Sequence, residues 1–359
     1  MKYLRNTWYM AAWSHEVSNS MLTRTILGER YVFYRKQDGV VVGLRDRCPH
    51  RFAPLSRGRL CGDEIQCGYH GLKFAADGTC VHSPFSSLPP RSAKVRNCVL
   101  EERHHIVWMW LGDLGRDDST SIPDFSYITR ADLKGTFGLS SMNAHYELVT
   151  DNLMDLSHVE FLHPAFGGAL LKGGKHTVSQ EGDTIWSNWW TQNVPNTPSL
   201  EMWWPTKGKP IDHSFDMRWN PPASIYLGVG ATLTGAPRDE GFTLPSAHIL
   251  TPETASTTLY FWHSALPLGH PQSMEELHKI IADAFDREDA PMLEAVQHEM
   301  GGADFWDIAT VMLRTDAGAV RVRKHLGKLI AAENDRQFTT SGGIAEAACM
   351  PQILAIGDT

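Results

Sequence analysis

Two short segments of the chain, CPHR and CGYHG, each combine a cysteine with a histidine. Cys48 and His50 stand in the first and Cys67 and His70 in the second, with sixteen residues between His50 and Cys67. Thiolate and imidazole together suit zinc or iron–sulfur chemistry. A [2Fe-2S] cluster with two Cys on one iron and two His on the other needs one Cys and one His from each of two loops. The spacing therefore favours such a cluster, and a structural zinc site with two cysteine and two histidine ligands is the alternative.

A second group of polar residues lies in the segment NLMDLSHVEFLHP. Asn152, Asp155 and His158 recur at every third position, which places them on one face if the segment is a helix. His163 follows five residues later, about 140° further around an ideal helix. Both histidines can face one metal ion only if the helix loosens or ends between them, and Pro164 directly after His163 disfavours helix there. The segment is a candidate metal site; the alternative is two ordinary surface or core histidines.

The elements that must position these groups differ between the two parts of the chain. Short β-rich runs fill residues 1 to about 115, with Asp-Gly hairpin signals at 38–39 and 77–78. The polar stretch LGRDDSTSIPDF then has a Pro near its end and is typical of a linker. We therefore expect two domains, 1–115 and 116–359.

The second domain mixes helices with strands. Apolar residues at helical spacing predict a helix around the second polar group, and strands are expected over residues 184–265. A capping-box spacing of Ser273 and Glu276 predicts the start of an amphipathic helix. A last helix is expected around residues 322–330, with no clear element from about residue 335. This order predicts an α+β fold.

The composition of the 359 residues, 42% hydrophobic and 21% charged, is that of a globular protein. A net charge of −8 argues against nucleic acid or an anionic membrane as a general partner. MKYLRNTWYMAAWSHEV lacks the apolar region of a signal peptide, and no stretch approaches the ~18 apolar residues of a membrane span, so we expect a cytoplasmic protein. Six cysteines do not make a disulfide framework, and we expect free thiols at Cys61, Cys80, Cys98 and Cys349.

Both motifs are similar to those of one known family. C-P-H-R, sixteen residues and C-x-Y-H-G resemble the Rieske motif of ring-hydroxylating and demethylating oxygenases, and N-x-x-D-x-x-H-x-x-x-x-H resembles their mononuclear iron segment. NTWYMAAW and HILTPETASTTLYFW resemble the group of vanillate O-demethylase and dicamba monooxygenase within the Rieske non-heme iron oxygenases. The resemblance implies an N-terminal all-β Rieske [2Fe-2S] domain and a helix-grip (START-like) catalytic domain with an antiparallel sheet. The implied cluster ligands are Cys48, His50, Cys67 and His70.

The same resemblance implies how a mononuclear Fe(II) is held. His158 and His163 match the two histidine ligands, and the third ligand is a carboxylate in a segment resembling E-D-x-x-x-x-E-A. That segment makes Asp289 the first candidate and Asp286 the second. Pro291, two residues later, departs from an ordinary helix interior and is expected to kink the helix near the ligand.

The resemblance further implies residues that meet the substrate or carry electrons. His248 matches a substrate-contacting His, whereas Leu227 and Ile280 stand near positions where the dicamba enzyme has a polar Asn and a Trp, so a more apolar pocket is expected. Asn152 and Asp155 are the catalytic candidates of the iron motif. In the family the Asp links a catalytic-domain His to a cluster His of the next subunit, which implies a homotrimer with His70 of one subunit facing Asp155 of the next.

The implied function is that of the terminal oxygenase component of a Rieske monooxygenase. It would use O2 and NADH-derived electrons, delivered by a reductase with or without a separate ferredoxin, to O-demethylate a methoxylated, vanillate-like aromatic compound. N-dealkylation or hydroxylation of another aromatic compound is the alternative. A Rieske electron carrier without oxygenase activity and a zinc-stabilised binding protein are the other classes left open. The Gly-rich residues 165–176 are expected to form a mobile flap over the iron pocket, and an ordinary surface loop is the alternative.

Overall fold

The computed structural model describes residues 3–89, 91–163, 166 and 171–341. Its strands are β1 (Thr7–Trp13), β2 (Leu22–Ile26), β3 (Glu29–Arg35), β4 (Val41–Arg45), β5 (Arg59–Cys61), β6 (Glu64–Gln66), β7 (Lys73–Phe74), β8 (Cys80–His82), β9 (Val99–Arg103), β10 (Ile106–Leu111), β11 (Leu133–Met142), β12 (Lys175–Glu181), β13 (Thr184–Val194), β14 (Ile211–Asn220), β15 (Ser224–Leu233), β16 (Phe242–Pro252) and β17 (Thr258–Pro267). Its helices are α1 (Tyr146–Met154), α2 (Val159–Leu162), α3 (Pro198–Trp203), α4 (Met274–Asp283), α5 (Ala290–Met300) and α6 (Ala317–Ser341), with a π-helical turn (Ala284–Asp289) between α4 and α5.

The first ten strands form three small antiparallel sheets, in the orders β1-β10-β9, β2-β3-β4 and β5-β6-β7-β8. Both Asp-Gly pairs lie in tight turns of this part. Gly39 has a φ of 88°, and the Val40 N–H donates to Asp38 Oδ1 at 3.0 Å. At Gly78 a Cβ would lie 1.9 Å from the carbonyl oxygen of Val95, so a side chain has no room there. The two predicted hairpins are therefore confirmed.

The second part of the chain is built on one seven-stranded antiparallel sheet in the order β11-β17-β16-β15-β14-β13-β12. Although β11 and β12 are consecutive in the sequence, they form the two opposite edges of this sheet. The segment between them carries α1 and α2, so it crosses from one edge to the other. An α+β fold with a large antiparallel sheet was predicted, and it is confirmed.

The two faces of the large sheet pack against different partners. Because side chains alternate along a strand, β16 sends Leu244 into the core beneath the helices and Ile249 into a second core shared with β1 and β10. On that second face, the Trp13 indole N–H donates to the Gly138 carbonyl at 2.9 Å, and the Thr251 hydroxyl donates to the carbonyl of Met10 at 2.7 Å. The N-terminal sheet is thereby fixed to the back of the large sheet.

Two sequence-based expectations about the helices are wrong in detail. The helix predicted around the second polar group does not continue through Asp155 to His158, because α1 ends at Met154 and Asp155 has extended backbone angles (φ −121°, ψ 94°). The region from residue 335 is not without structure, since α6 continues to Ser341; residues 342–359 lie outside the described residues. The predicted capping box is confirmed, with Ser273 and Glu276 each accepting the other's backbone N–H.

Buried ion pairs attach α6 to α1. The Arg323 guanidinium is only 7% exposed and meets Asp151 at 2.7 Å and Glu147 at 2.9 Å.

The five described cysteines are free thiols, as expected for Cys61, Cys80 and Cys98, while Cys349 lies outside the described residues. None of the described helices is both long and apolar enough to cross a membrane.

Candidate active site

The two Cys–His loops share one backbone framework. In each loop, the cysteine N–H donates to the carbonyl of the residue five positions later, which is Ala53 for Cys48 and Leu72 for Cys67. The cysteine carbonyl accepts from the N–H of the residue four positions later, which is Phe52 for Cys48 and Gly71 for Cys67. The residue four positions after each cysteine has left-handed backbone angles, with φ of 60° at Phe52 and 73° at Gly71. The loops therefore present their side chains in closely similar ways.

The four side chains of these loops converge, with the thiols inside and the imidazoles outside. Cys48 and Cys67 are each 2% exposed. Burial, with a smaller contribution from the adjacent Cys67 thiol, raises the pKa of the Cys48 thiol to about 11, which is consistent with two sulfurs facing each other. The rings of His50 and His70 lie 4.5 Å apart between centroids. Each loop supplies one Cys and one His, and the two thiols lie together, as do the two imidazoles. This is the donor set of a [2Fe-2S] cluster in which two cysteines hold one iron and two histidines hold the other.

A second convergence of ligands lies under the large sheet. His158 ends a 3-10 turn (Leu156–His158) and His163 follows the last residue of α2, while Asp289 is the last residue of the π-helical turn. Asp289 Oδ1 is 3.7 Å from His158 Nε2 and 3.3 Å from His163 Nε2. One ligand atom from each residue lies within 4.8 Å of the others, a spacing that fits one metal ion. Two His and one carboxylate are the facial set of non-heme iron sites.

Each of these three side chains is held by a neighbour. His163 Nδ1 meets Glu288 Oε2 at 2.7 Å, His158 Nδ1 meets the carbonyl of Asp155 at 2.7 Å, and Asn152 Nδ2 donates to Asp289 Oδ1 at 3.0 Å. With Nδ1 engaged, both rings turn Nε2 toward Asp289, which is the usual outer support of a metal-binding His.

Charge and burial act differently on the two histidines. Burial lowers the pKa of His158, which favours the neutral ring that binds metals. Burial also lowers the pKa of His163, but the hydrogen bonds and charges of Asp289 and Glu288 outweigh it and leave that pKa raised. The site is therefore electronegative on the His163 side and attracts a cation.

An apolar cavity of about 100 Å³ opens beside these ligands. It is of the order of the engineered apolar cavities of about 150 Å³ that bind benzene. Its wall includes all three ligands and Asn152, with aromatic, aliphatic and small polar side chains: Phe166, Thr197, Ser199, Leu200, Trp203, Phe215, Leu227, Val229, Leu244, Ser246, His248, Ser264, Ile281, Ala284 and Phe285. The size and lining suit a substituted benzene ring next to a metal ion.

Comparison with known proteins identifies the family. Residues 7–92 match the Rieske [2Fe-2S] domain, and residues 142–332 match the vanillate O-demethylase oxygenase C-terminal domain. The chain is 34% identical to the oxygenase component of chloroacetanilide N-alkylformylase from Rhizorhabdus wittichii, over 92% of this chain and 97% of that protein. It is 35% identical to the oxygenase component of dicamba O-demethylase from Stenotrophomonas maltophilia, over 92% and 98%.

Comparison with solved structures leads to the same family. A crystal structure of dicamba monooxygenase bound to 3,6-dichlorosalicylic acid superposes with a TM-score of 0.88 at 32% identity, covering 93% of this chain and 99% of that chain. The chain belongs to the Rieske non-heme iron oxygenases. It is the oxygenase component of a multicomponent monooxygenase, and its cofactors are a Rieske [2Fe-2S] cluster and a mononuclear iron. The zinc-protein and electron-carrier alternatives are thereby excluded.

Several residues of this Rieske oxygenase lie elsewhere than the sequence suggested. Asn152, Asp155 and His158 do not share a helical face, because the helix ends between them. The Asp155 carboxylate accepts the Ser157 N–H at 2.9 Å rather than contacting the His158 ring, which meets the Asp155 carbonyl instead. Of the two candidate carboxylates, Asp289 is buried beside the histidines, whereas Asp286 is exposed.

Two of the three expected substrate contacts line the cavity, and the third is not among the described residues of its wall. His248 and Leu227 line the cavity of this oxygenase, but Ile280 is not among the described residues of the wall, and Ile281 takes that place one position further around α4. His248 is 4% exposed, its Nδ1 meets the Tyr260 hydroxyl at 2.6 Å, and burial lowers its pKa to about 4. The sequence reasoning missed Trp203, which no local motif marks.

The expected flap is only partly visible. Residue 165 and residues 167–170, with Gly167 and Gly168, lie outside the described residues. Phe166 lies in the cavity wall, with its ring centroid 6.0 Å from that of His163. Glu288 directly precedes Asp289 in the sequence, but only the structure shows its bond to His163.

Proposed function

We propose that this oxygenase removes an alkyl group from a heteroatom on a single aromatic ring, with O-demethylation of a methoxylated aromatic compound as the first candidate. The observation that carries the proposal is the placement of His158, His163 and Asp289 in the wall of an apolar cavity of one-ring size. N-Dealkylation of an anilide is the second candidate, because one relative is named a chloroacetanilide N-alkylformylase.

The chain's own side chains supply the ligands for both cofactors. Cys48, His50, Cys67 and His70 would hold the cluster, and His158, His163 and Asp289 the iron. When bound, these groups supply electron transfer and the activation of O2. Asn152 fixes the Asp289 carboxylate through its amide N–H, and the apolar wall keeps water out while the ring is held.

The overall reaction balances without any further reagent. An aryl methyl ether, O2, NADH and a proton give the phenol, formaldehyde, NAD⁺ and water. Insertion of one oxygen atom into a methyl C–H bond gives a hemiacetal, whose C–O bond to the ring oxygen breaks as the proton moves to that oxygen. An N-alkyl anilide follows the same course through a hemiaminal. NADH enters through a separate reductase, with or without a ferredoxin.

Electron delivery is proposed to occur between subunits of a homotrimer. Within one chain Asp155 is half-buried, and one of its carboxylate oxygens accepts the Ser157 N–H. The cluster histidines lie at the protein surface beside the exposed Tyr69, and Phe161, which follows Asp155 six residues later in the sequence, is 87% exposed. Such surfaces support a head-to-tail contact in which His70 of one subunit faces Asp155 of the next.

The test measures aldehyde release and O2 uptake with a surrogate reductase and a panel of methoxyarenes and N-alkylanilides. Asp289→Ala and His163→Ala should abolish turnover and leave the visible spectrum of the cluster intact, because each removes one of three ligands. Asp286→Ala, an exposed carboxylate on the same turn, is the matched control and should retain activity. Full activity of Asp289→Ala, or no aldehyde from any compound of the panel, would contradict the proposal.

A further inference from the structure

Positive charge is concentrated around the two loops that carry the cluster ligands. Residues 47–62 contain four arginines and no aspartate or glutamate, although the whole chain has 41 acidic and 33 basic side chains. These four residues, Arg47, Arg51, Arg57 and Arg59, are all exposed, and we call them the arginine patch. None of the four forms an ion pair with a carboxylate of the described residues. The chain is acidic as a whole, yet it presents a positive surface beside its cluster.

The carboxylates nearest to the patch in the sequence do not neutralise it. Asp46 is buried, and its carboxylate meets the Arg30 guanidinium at 3.2 Å. Glu64 lies 3.8 Å from Lys73 Nζ, and Asp63 accepts a backbone N–H at 2.9 Å. Each of these carboxylates therefore has another partner, and the charge of the patch is open to a second molecule.

Two of the arginines lie along the loop that carries Cys67. Strands β5 and β6 pair so that Arg59 lies opposite Gln66. The backbones of the two segments are in contact, since a Cβ on Gly68 would lie 2.7 Å from the carbonyl oxygen of Arg57. Arg57, Arg59 and Cys67 line one surface cleft of about 390 Å³. A molecule seated over this cleft lies beside a ligand of the cluster.

The cleft leaves the cluster histidines free for the contact between subunits. In the proposed homotrimer, His70 faces Asp155 of the next subunit, so electrons leave the cluster on its histidine side. Neither His50 nor His70 is among the described residues that line the cleft. A donor over the cleft can therefore serve the cluster while the next subunit occupies the histidines.

We propose that the arginine patch is the docking surface for the electron donor, and that this donor is a small redox protein or domain with an acidic surface around its own cofactor. The inference rests on the proposed function, which requires a separate donor, and it adds the place and the charge of that contact. A net charge of −8 repels an acidic protein at a distance, so a local positive surface is needed to steer it to the cluster. One electron leaves the donor's cofactor and one enters the Rieske cluster, so the step balances without another reagent.

The first experiment measures how salt affects the contact. The probe is a reduced plant-type [2Fe-2S] ferredoxin, which is acidic and has a lower reduction potential than Rieske centres. Stopped-flow absorbance, without O2 or substrate, follows reduction of the cluster in the holoenzyme. The second-order rate constant should fall at least about tenfold between about 0.01 M and about 1 M salt, because salt screens exposed charges. A rate constant that stays the same would overturn the proposal.

The second experiment removes two charges of the patch. Neither the Arg51 nor the Arg57 side chain has a hydrogen bond or an ion pair among the described residues, so the cluster spectrum should not change. Arg51→Gln combined with Arg57→Gln should lower the rate constant by about threefold to tenfold at low salt, and the difference should disappear near about 1 M salt. Lys207→Gln combined with Lys209→Gln removes the same charge from an exposed loop of the catalytic domain and is the matched control.

Binding is measured separately, by calorimetric titration of the holoenzyme with the oxidised ferredoxin. The arginine variant should bind it about threefold to tenfold more weakly than the wild type at low salt, and the lysine variant should bind it as the wild type does. Wild-type reduction and binding by the arginine variant, or an equal loss in the lysine variant, would refute the docking surface. Dissociation of the arginine variant in sedimentation would also refute it, because the patch would then be a contact between copies of this chain.

The outcomes separate this inference from the proposed function. If the arginine variant is reduced slowly as described but no compound of the panel releases aldehyde, the dealkylation proposal fails and the docking surface stands. If aldehyde is released but the ferredoxin reduces the arginine variant and the wild type equally fast, the docking surface fails and dealkylation stands.

Discussion

The carboxylate of Glu288 offers a sensitive test of how the iron site is held. It lies 2.7 Å from His163 Nδ1, whereas His158 uses a neutral backbone carbonyl at the same distance. The change Glu288→Gln keeps an oxygen acceptor of similar shape and removes the negative charge. Losing such outer support costs about 10- to 100-fold in metal affinity in other sites. The Glu288 side chain is 31% exposed, so solvent weakens its charge and we expect the lower end, about tenfold.

The assay follows the release of Fe(II) to a chromogenic chelator, with the visible absorbance of the cluster as an internal reference. Glu288→Gln should lose its mononuclear iron about tenfold faster than the wild type, with the cluster unchanged. Asp286→Asn, which removes an exposed charge from the same turn, is the control and should behave as the wild type. If Glu288→Gln retains iron as the wild type does, or if Asp286→Asn loses it equally fast, the bond to His163 does not support the site.

Two further predictions concern electron transfer and acid stability. Asp155→Asn should keep both cofactors but slow single-turnover reoxidation of the cluster by at least about tenfold, because an amide makes weaker bonds than a carboxylate; an unchanged rate would rule out the proposed contact between subunits. His213 is buried, neither of its nitrogens has a partner among the described residues, and burial lowers its pKa to about 3. In the unfolded chain this imidazole gains a proton below about pH 6.5, so stability falls as the pH falls, by about 1 kcal/mol between pH 7 and 5.5. His213→Leu should reduce that acid-side drop in a thermal-unfolding series, and an identical drop would refute the assignment.

Local chemistry made the cluster loops and their hairpins predictable from sequence. Asp38 and Gly39 specify a tight turn by themselves, and the Cys–His spacing constrains the donor set whatever the rest of the chain does. The fold class followed from the order of strand and helix patterns. These features depend on neighbours along the chain, which the sequence displays directly.

The details of the iron segment needed the three-dimensional structure. Asp155 leaves the helix because its carboxylate bonds to the Ser157 N–H, a local competition typical of Asp that periodicity does not reveal. The π-helical turn before Pro291 places Asp289 inward, and its wider hydrogen-bond spacing, with the Ala290 N–H donating to the Phe285 carbonyl, immediately precedes the proline within a continuous helix. Ile281 rather than Ile280 faces the cavity, since one residue rotates a helix position by about 100°.

The pairing of β11 with β17 has a consequence for how the chain acquires its fold. Met142 pairs with Thr258, and five of the seven strands of the sheet, β12 to β16, lie between these two residues in the sequence. The edge strand that precedes the iron histidines therefore has no partner until the last strand has left the ribosome, and contacts that distant slow folding. Strands β12 to β17 are neighbours in both the sequence and the sheet, so each can pair with the next as a hairpin. Strand β11 can pair only after β17 has been synthesised. We expect the crossing segment with His158 and His163 to order late, so that metal loading follows synthesis of the complete sheet.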